Sequence, residues 1–147
     1  MRELPRQLTA DELAELFEGR TALVEQLAAV EDPLGRARAI AARLSPEEQK
    51  EALDAHPRIG ARRGLSTRSA AEQGADDDAE VLHELDRLNR EYEERFGFRF
   101  VVFVNRRPRR EILPVLRKRL ERTHEQELAT GVDELVQIAI DRWQRTS

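Results

Sequence analysis

Leu53-Asp54-Ala55-His56-Pro57-Arg58-Ile59-Gly60-Ala61-Arg62-Arg63-Gly64-Leu65-Ser66-Thr67-Arg68-Ser69-Ala70-Ala71-Glu72-Gln73-Gly74 is the stretch around which the rest of the chain arranges itself. Proline disfavours the α conformation of the residue before it, so Pro57 predicts that a helix closes at His56. A helix carboxyl end also stabilises an imidazolium, and His56 is therefore expected to hold its proton near neutral pH more readily than a free histidine. If Ser69 opens the next helix, Ser69, Glu72 and Gln73 fall at i, i+3 and i+4 and share one face. A titratable imidazole and a polar triplet then meet at a loop-linked corner. The same residues also fit ordinary structural roles: Ser69 and Glu72 satisfy the capping-box pattern, and His56 suits a helix end.

Upstream of this corner the chain reads as four short helices. Thr9 with Glu12 makes a capping box that opens the first, which runs to about Phe17 and breaks at Gly19. Thr21 caps a second, with Leu23, Val24, Leu27 and Val30 on one side. Asp32 before Pro33 starts a third, whose buried stripe is Leu34, Ala37, Ile40 and Ala41. Ser45-Pro46-Glu47-Glu48 repeats that grammar for a fourth, ending at His56.

Downstream, Asp76 to Asp78 supply capping carboxylates for a longer helix in which Val81, Leu82, Leu85, Leu88 and Tyr92 recur at three- and four-residue steps, to about Arg95. Gly97 stops it. Phe98-Arg99-Phe100-Val101-Val102-Phe103-Val104 then abandons the helical period; its β-branched and aromatic density predicts an extended segment. A single extended run makes no sheet, so residues 98–104 are expected to cross the interior as a buried segment. Arg106 to Arg110 forms a basic turn before a helix reaching about Ala129, in which Pro114 demands either a start near Glu111 or a kink. Gly131 is expected to end that helix, and a last one runs from about Val132 to Arg145. The fold class is all-α: a single-domain bundle of about eight helices over residues 1–147.

Composition narrows the chemistry. The 147 residues are 39% hydrophobic and 37% charged, with a formal net charge of −4 and a pI near 5.5. That suits one soluble cytoplasmic domain with a substantial core. With no cysteine there is no disulfide, thiolate metal site or cysteine nucleophile. His56, His83 and His124 are too scattered to suggest a metal cluster by spacing. No apolar run approaches the roughly 20 residues of a membrane span, and neither a hydrophobic leader nor a peroxisomal carboxyl end is present.

Two charge features stand out. Residues placed 100° apart along the last helix put Arg142 between Leu135 and Ile138, inside the apolar arc, where a guanidinium needs a partner. Either a carboxylate of the fold or an anionic ligand would serve. Between residues 99 and 122, nine cations (Arg99, Arg106, Arg107, Arg109, Arg110, Arg117, Lys118, Arg119 and Arg122) face only Glu111 and Glu121. Such a run could neutralise phosphates, but no nucleic-acid-binding signature accompanies it, and nucleic acid is not the expected partner.

The combination is more specific than its parts. His56-Pro57-Arg58-Ile59-Gly60, Ser69-Ala70-Ala71-Glu72-Gln73-Gly74, Leu88-Asn89-Arg90-Glu91-Tyr92 and Phe96-Gly97-Phe98-Arg99-Phe100-Val101-Val102 occur in this order and spacing. Together they resemble the 2-oxo-4-hydroxy-4-carboxy-5-ureidoimidazoline (OHCU) decarboxylase family of purine catabolism. The likeness extends to Phe17-Glu18-Gly19-Arg20-Thr21, Glu111-Ile112-Leu113, Arg119-Leu120 and Ile138-Ala139-Ile140-Asp141-Arg142, essentially the whole chain. It departs at Asn105-Arg106-Arg107-Pro108, where the family carries a glycine-containing turn, and at Pro114.

The resemblance implies an all-α homodimer that converts OHCU to (S)-allantoin without a cofactor, downstream of urate oxidase and hydroxyisourate hydrolase. It implies His56 and Glu72 as the catalytic pair. Pro57, Ser69, Gln73, Arg142 and the segment Phe100, Val101 and Val102 would hold the ureidoimidazoline, with no metal, nucleic acid or membrane. Two alternatives stand beside it: a helical enzyme acting on another ureide, and a non-catalytic helical interaction or nucleic-acid-binding module using the Arg-rich 99–122 stretch.

Overall fold

The computed structural model describes residues 3–59 and 79–145. Ser69, Glu72 and Gln73, and the helix expected to start at Ser69, lie outside the described residues. Seven helices occur among those described, with no strand: α1 Ala10–Phe17, α2 Ala22–Ala28, α3 Pro33–Arg43, α4 Pro46–Asp54, α5 Ala79–Phe96, α6 Arg109–Arg119 and α7 His124–Arg145.

The start signals act largely as their chemistry requires. Thr9 and Ser45 close full capping boxes with Glu12 and Glu48, and Thr21 caps α2 through the Val24 amide. Asp32 is the exception. It precedes α3 in a left-handed conformation (φ 52°) and makes no side-chain cap, so Pro33 at the first position carries that start.

The largest departure lies in the carboxyl-terminal third. Gly131 does not end a helix: α6 stops at Arg119, Thr123 and Gln126 exchange capping hydrogen bonds of 3.1 Å, and α7 runs unbroken through Gly131. A glycine this far inside a helix costs about 1 kcal/mol relative to alanine. Packing explains it, because a Cβ at Gly131 would stand 3.2–3.3 Å from both methyls of Leu53, a residue with no exposed surface. Pro114 lies inside α6, past its first turn, since the helix begins at Arg109 and not near Glu111.

Helix α7, about 33 Å long, is the spine. It packs against α1, α3 and α4, while α6 packs on α5. Residues 98–104 form neither helix nor strand and cross the interior as a largely buried segment. Phe98 and Phe100 meet Tyr92 in edge-on contacts at 5.9 and 5.2 Å between centroids, and Phe96 lies 4.6 Å from Tyr92. This aromatic knot anchors the crossing to α5. Among the described residues no helix is long and apolar enough to cross a membrane.

Candidate active site

A backbone that crosses a protein core without a sheet must find other hydrogen-bond partners, and here side chains provide them, most from helices. The Arg99 amide donates to Asp54 Oδ1 (2.9 Å), and the Phe103 amide to Glu134 Oε1 (3.2 Å). Arg119 Nη1 donates to the Val101 carbonyl (2.8 Å), while Arg107 donates to the carbonyls of Val104 (2.9 Å) and Phe103 (2.7 Å). The Arg99 guanidinium also reaches back to the carbonyls of Asp54 and His56, tying the exit of α4 to the crossing segment.

Between these tied pieces and the end of α7 lies a cavity of about 130 Å³. His56, Pro57 and Ile59 form one wall, Phe100 to Arg106 a second, and Ile138, Asp141, Arg142 and Arg145 the third. The structure thus brings together every sequence-predicted site residue that it describes: His56, Pro57, Phe100, Val101, Val102 and Arg142. His83 and His124 lie on exposed helix surfaces away from it. Among the described residues no group of three or more metal-ligating side chains gathers that could hold an ion.

His56 is 4% exposed, and its Nε2 is buried with no hydrogen-bond partner among the described residues. The expectation of a readily protonated His56 is overturned. Burial pushes its pKa down from 6.5 to about 3, the Arg142 cation adds to the fall, Glu18 opposes it and Arg99 contributes a smaller decrease. Desolvation outweighs the helix-end field because α4 stops at Asp54, two residues earlier, and the ring sits in the core. The resting site therefore offers a neutral imidazole.

Arg142 resolves the oddity of a cation on an apolar arc. It is 3% exposed; Nη2 pairs with Glu18 Oε1 (3.0 Å), and Nη1 donates to the Leu16 carbonyl at the carboxyl end of α1 (3.0 Å). Arg142 thus contacts a carboxylate of its own fold and lines the cavity as well. Glu18 adopts a left-handed conformation, φ 67°, at the C-cap of α1. Glycine is the residue favoured there, and the ion pair gives a reason for glutamate.

Beneath the crossing segment lies a polar cluster that pattern reading missed. Glu127 has no exposed surface and accepts from Tyr92 Oη (2.7 Å), Arg119 Nε (2.7 Å) and Arg122 Nη1 (2.9 Å). Arg119, itself buried, stacks 4.6 Å from the Phe100 ring centroid as it holds the Val101 carbonyl. The apparent basic run is thereby divided. Arg109 and Arg119 are buried, and Arg99, Arg107 and Arg122 are occupied by carbonyls, Glu127 or Thr130. Placing the helix break at Gly131 hid Glu127; a capping pattern at Thr123 and Gln126 was the signal that could have revealed it.

The family model described as OHCU decarboxylase matches residues 2–144. The chain belongs to the OHCU decarboxylase family. A Haloferax volcanii 2-oxo-4-hydroxy-4-carboxy-5-ureidoimidazoline decarboxylase is 35% identical over 99 residues, 65% of this chain and 59% of that protein. The Bacillus subtilis uric acid degradation bifunctional protein PucL is 28% identical over 149 residues, 95% of this chain and 30% of its own length. The chain therefore spans less than two thirds of either relative. Among solved structures, an OHCU decarboxylase crystallised in the presence of (S)-allantoin matches with a TM-score of 0.73 and 25% identity, over 89% of this chain and 94% of the other. An (S)-allantoin synthase shares the fold at TM-score 0.67 and 23% identity, over 92% of this chain and 48% of the other. The all-α architecture of the family is thus the one seen here.

Proposed function

We propose that this chain decarboxylates OHCU to (S)-allantoin, a carboxy-lyase step of urate degradation that needs no cofactor. Residues 1–147 act as one such domain, in a cytoplasmic homodimer. The observation that carries the reading is the buried Nε2 of a neutral His56, without a hydrogen-bond partner among the described residues, on the same cavity as the buried Arg142. A buried polar atom without a partner is costly, and a ligand is one way to satisfy it.

The substrate's own structure explains why no electron-sink cofactor is required. When the bond to carbon dioxide breaks, its electron pair forms a ring C=C bond and the adjacent C=N pair moves onto nitrogen, which takes up a proton. The resulting enol becomes a carbonyl as a proton is delivered to the neighbouring ring carbon. One face must be chosen for that delivery. The chain's task is to set the carboxylate across the ring plane, exclude water and give the proton on one side.

In this reading Arg142 supplies positive field next to the substrate anion, while Glu18 and the Leu16 carbonyl fix its fork. His56 hydrogen-bonds the hydroxyl and carboxylate region as a neutral imidazole. The arriving carboxylate raises the imidazole's proton affinity at the moment of use. Glu72, with Ser69 and Gln73, binds the ring and ureido nitrogens, and Glu72 assists proton movement. The Phe100 to Val102 backbone completes the seat.

His56→Ala and Glu72→Gln are each expected to lower kcat by at least about a hundredfold, in line with loss of a positioned acid or base. Stopped-flow absorbance of freshly generated OHCU reads the rate. Wild-type turnover in either variant removes that residue from the mechanism.

A further inference from the structure

We infer that Arg106 is a substrate-recognition residue at the mouth of the cavity, selecting the ligand by its negative charge. The inference rests on the decarboxylase reading and extends it to a side chain outside the buried seat.

The turn that carries Arg106 is built against local preference. The Arg107 amide donates to the Val104 carbonyl at 3.1 Å, closing a four-residue turn whose two central residues, Asn105 and Arg106, have φ of 51° and 63°. Turns with both central residues left-handed favour Asn followed by Gly, because the second position gives a side chain no steric relief. Asn105 obeys the rule; Arg106 breaks it. Strained backbone at a non-glycine residue concentrates where the side chain has a use.

The neighbouring side chains narrow that use. Arg107 turns inward to the carbonyls of Val104 and Phe103, so it builds the turn. Arg145, also on the rim, is engaged by Asp141 at 2.8 Å. Arg106 lines the cavity, is exposed, and makes no hydrogen bond or ion pair among the described residues. It is a rim cation with its charge uncommitted. A guanidinium so placed suits the carboxylate that OHCU carries and allantoin lacks.

The test compares wild type, Arg106→Gln, Arg106→Gly and Arg106→Lys on OHCU made freshly from urate. Arg106→Gly accepts the left-handed backbone without penalty, so its folded turn is preserved. At low ionic strength Gln and Gly are expected to lower kcat/KM about three- to tenfold with little change in kcat, and Lys to restore most of it. Near 0.5 M salt, where the screening length is only about 4 Å, the variants converge on wild type. Inhibition by neutral allantoin stays within about twofold in all four, as charge selection requires.

Equal kcat/KM and equal salt dependence in wild type and Arg106→Gln overturn the inference while leaving the decarboxylase reading intact. So does a parallel loss of allantoin inhibition, since that marks a contact to the shared ureide. If wild type itself fails to accelerate OHCU loss, the decarboxylase reading falls, and this inference falls with it.

Discussion

His56 carries the sharpest physical signature of any single residue in this chain. Its unfolded-state imidazole binds a proton below about pH 6.5, whereas the folded one stays neutral until about pH 3. Between those values the unfolded chain binds more protons, so stability falls as the pH drops. The contribution is complete above pH 6.5 and declines steadily below it. Between pH 7.5 and 5 this one group accounts for a loss of about 2 kcal/mol. Urea titrations of wild type and His56→Gln at both pH values check it: the wild-type loss should exceed the variant's by that amount, and equal losses contradict a neutral buried His56. Glu18 makes a second residue-scale case. Glu18→Gln removes the carboxylate charge that Arg142 meets at 3.0 Å, and weakening this nearly buried ion pair should cost about 2 kcal/mol of unfolding free energy. Denaturant unfolding at neutral pH reads this directly. Pattern reading placed Arg142 on the apolar arc correctly, because burial of a helix face follows from spacing alone. It could not name Glu18, which lies 124 positions earlier and meets Arg142 only in the fold. Nor could it foresee the imidazole's neutrality, since desolvation depends on what packs around a side chain.

At the scale of elements, the boundaries of the amino-terminal helices were legible and those of the last third less so. Capping boxes are local chemistry, and Thr9, Thr21 and Ser45 cap as read. Gly131 was misread because a glycine needed for close packing looks, in sequence, like one that ends a helix. Gly131→Ala separates the two. An ordinary helix-interior glycine gains about 1 kcal/mol from alanine. Here the gain should vanish or reverse, because the new Cβ crowds the fully buried Leu53. A clear rise in melting temperature contradicts the packing account. The crossing segment was legible as buried and non-helical, yet its support was not: Tyr92, Arg119 and Glu127 come from three different helices. Tyr92→Phe removes a buried hydroxyl-to-carboxylate hydrogen bond of 2.7 Å and should cost about 1.5–3 kcal/mol. The same variant loosens the Arg119 grip on the Val101 carbonyl, so KM for OHCU should rise more than kcat falls; unchanged KM at measurably lower stability contradicts a link between that cluster and the cavity.

At the scale of the whole molecule, the cavity exists because distant parts of the chain converge. The exit of α4, the crossing segment and the last turns of α7 each contribute one wall. No single motif announces that convergence, and His56, Arg142 and the Phe100 to Val102 segment read separately suit a helix end, a paired charge and a core. Their order along the chain made the family legible, and the common chemistry proposed for these separate residues rests on it. The proposed division of labour sets a neutral imidazole and a fold-anchored guanidinium in the buried seat, and at the mouth Arg106, whose charge no described residue engages. The central claim is stereoselective decarboxylation in this cavity, and circular dichroism tests it most directly. OHCU is generated from urate with the two upstream enzymes, and the growth of optically active allantoin is followed with wild type, with His56→Ala and with no addition. Rapid appearance of the (S) signal with wild type alone is the predicted result; racemic product forming at the uncatalysed rate in all three contradicts it.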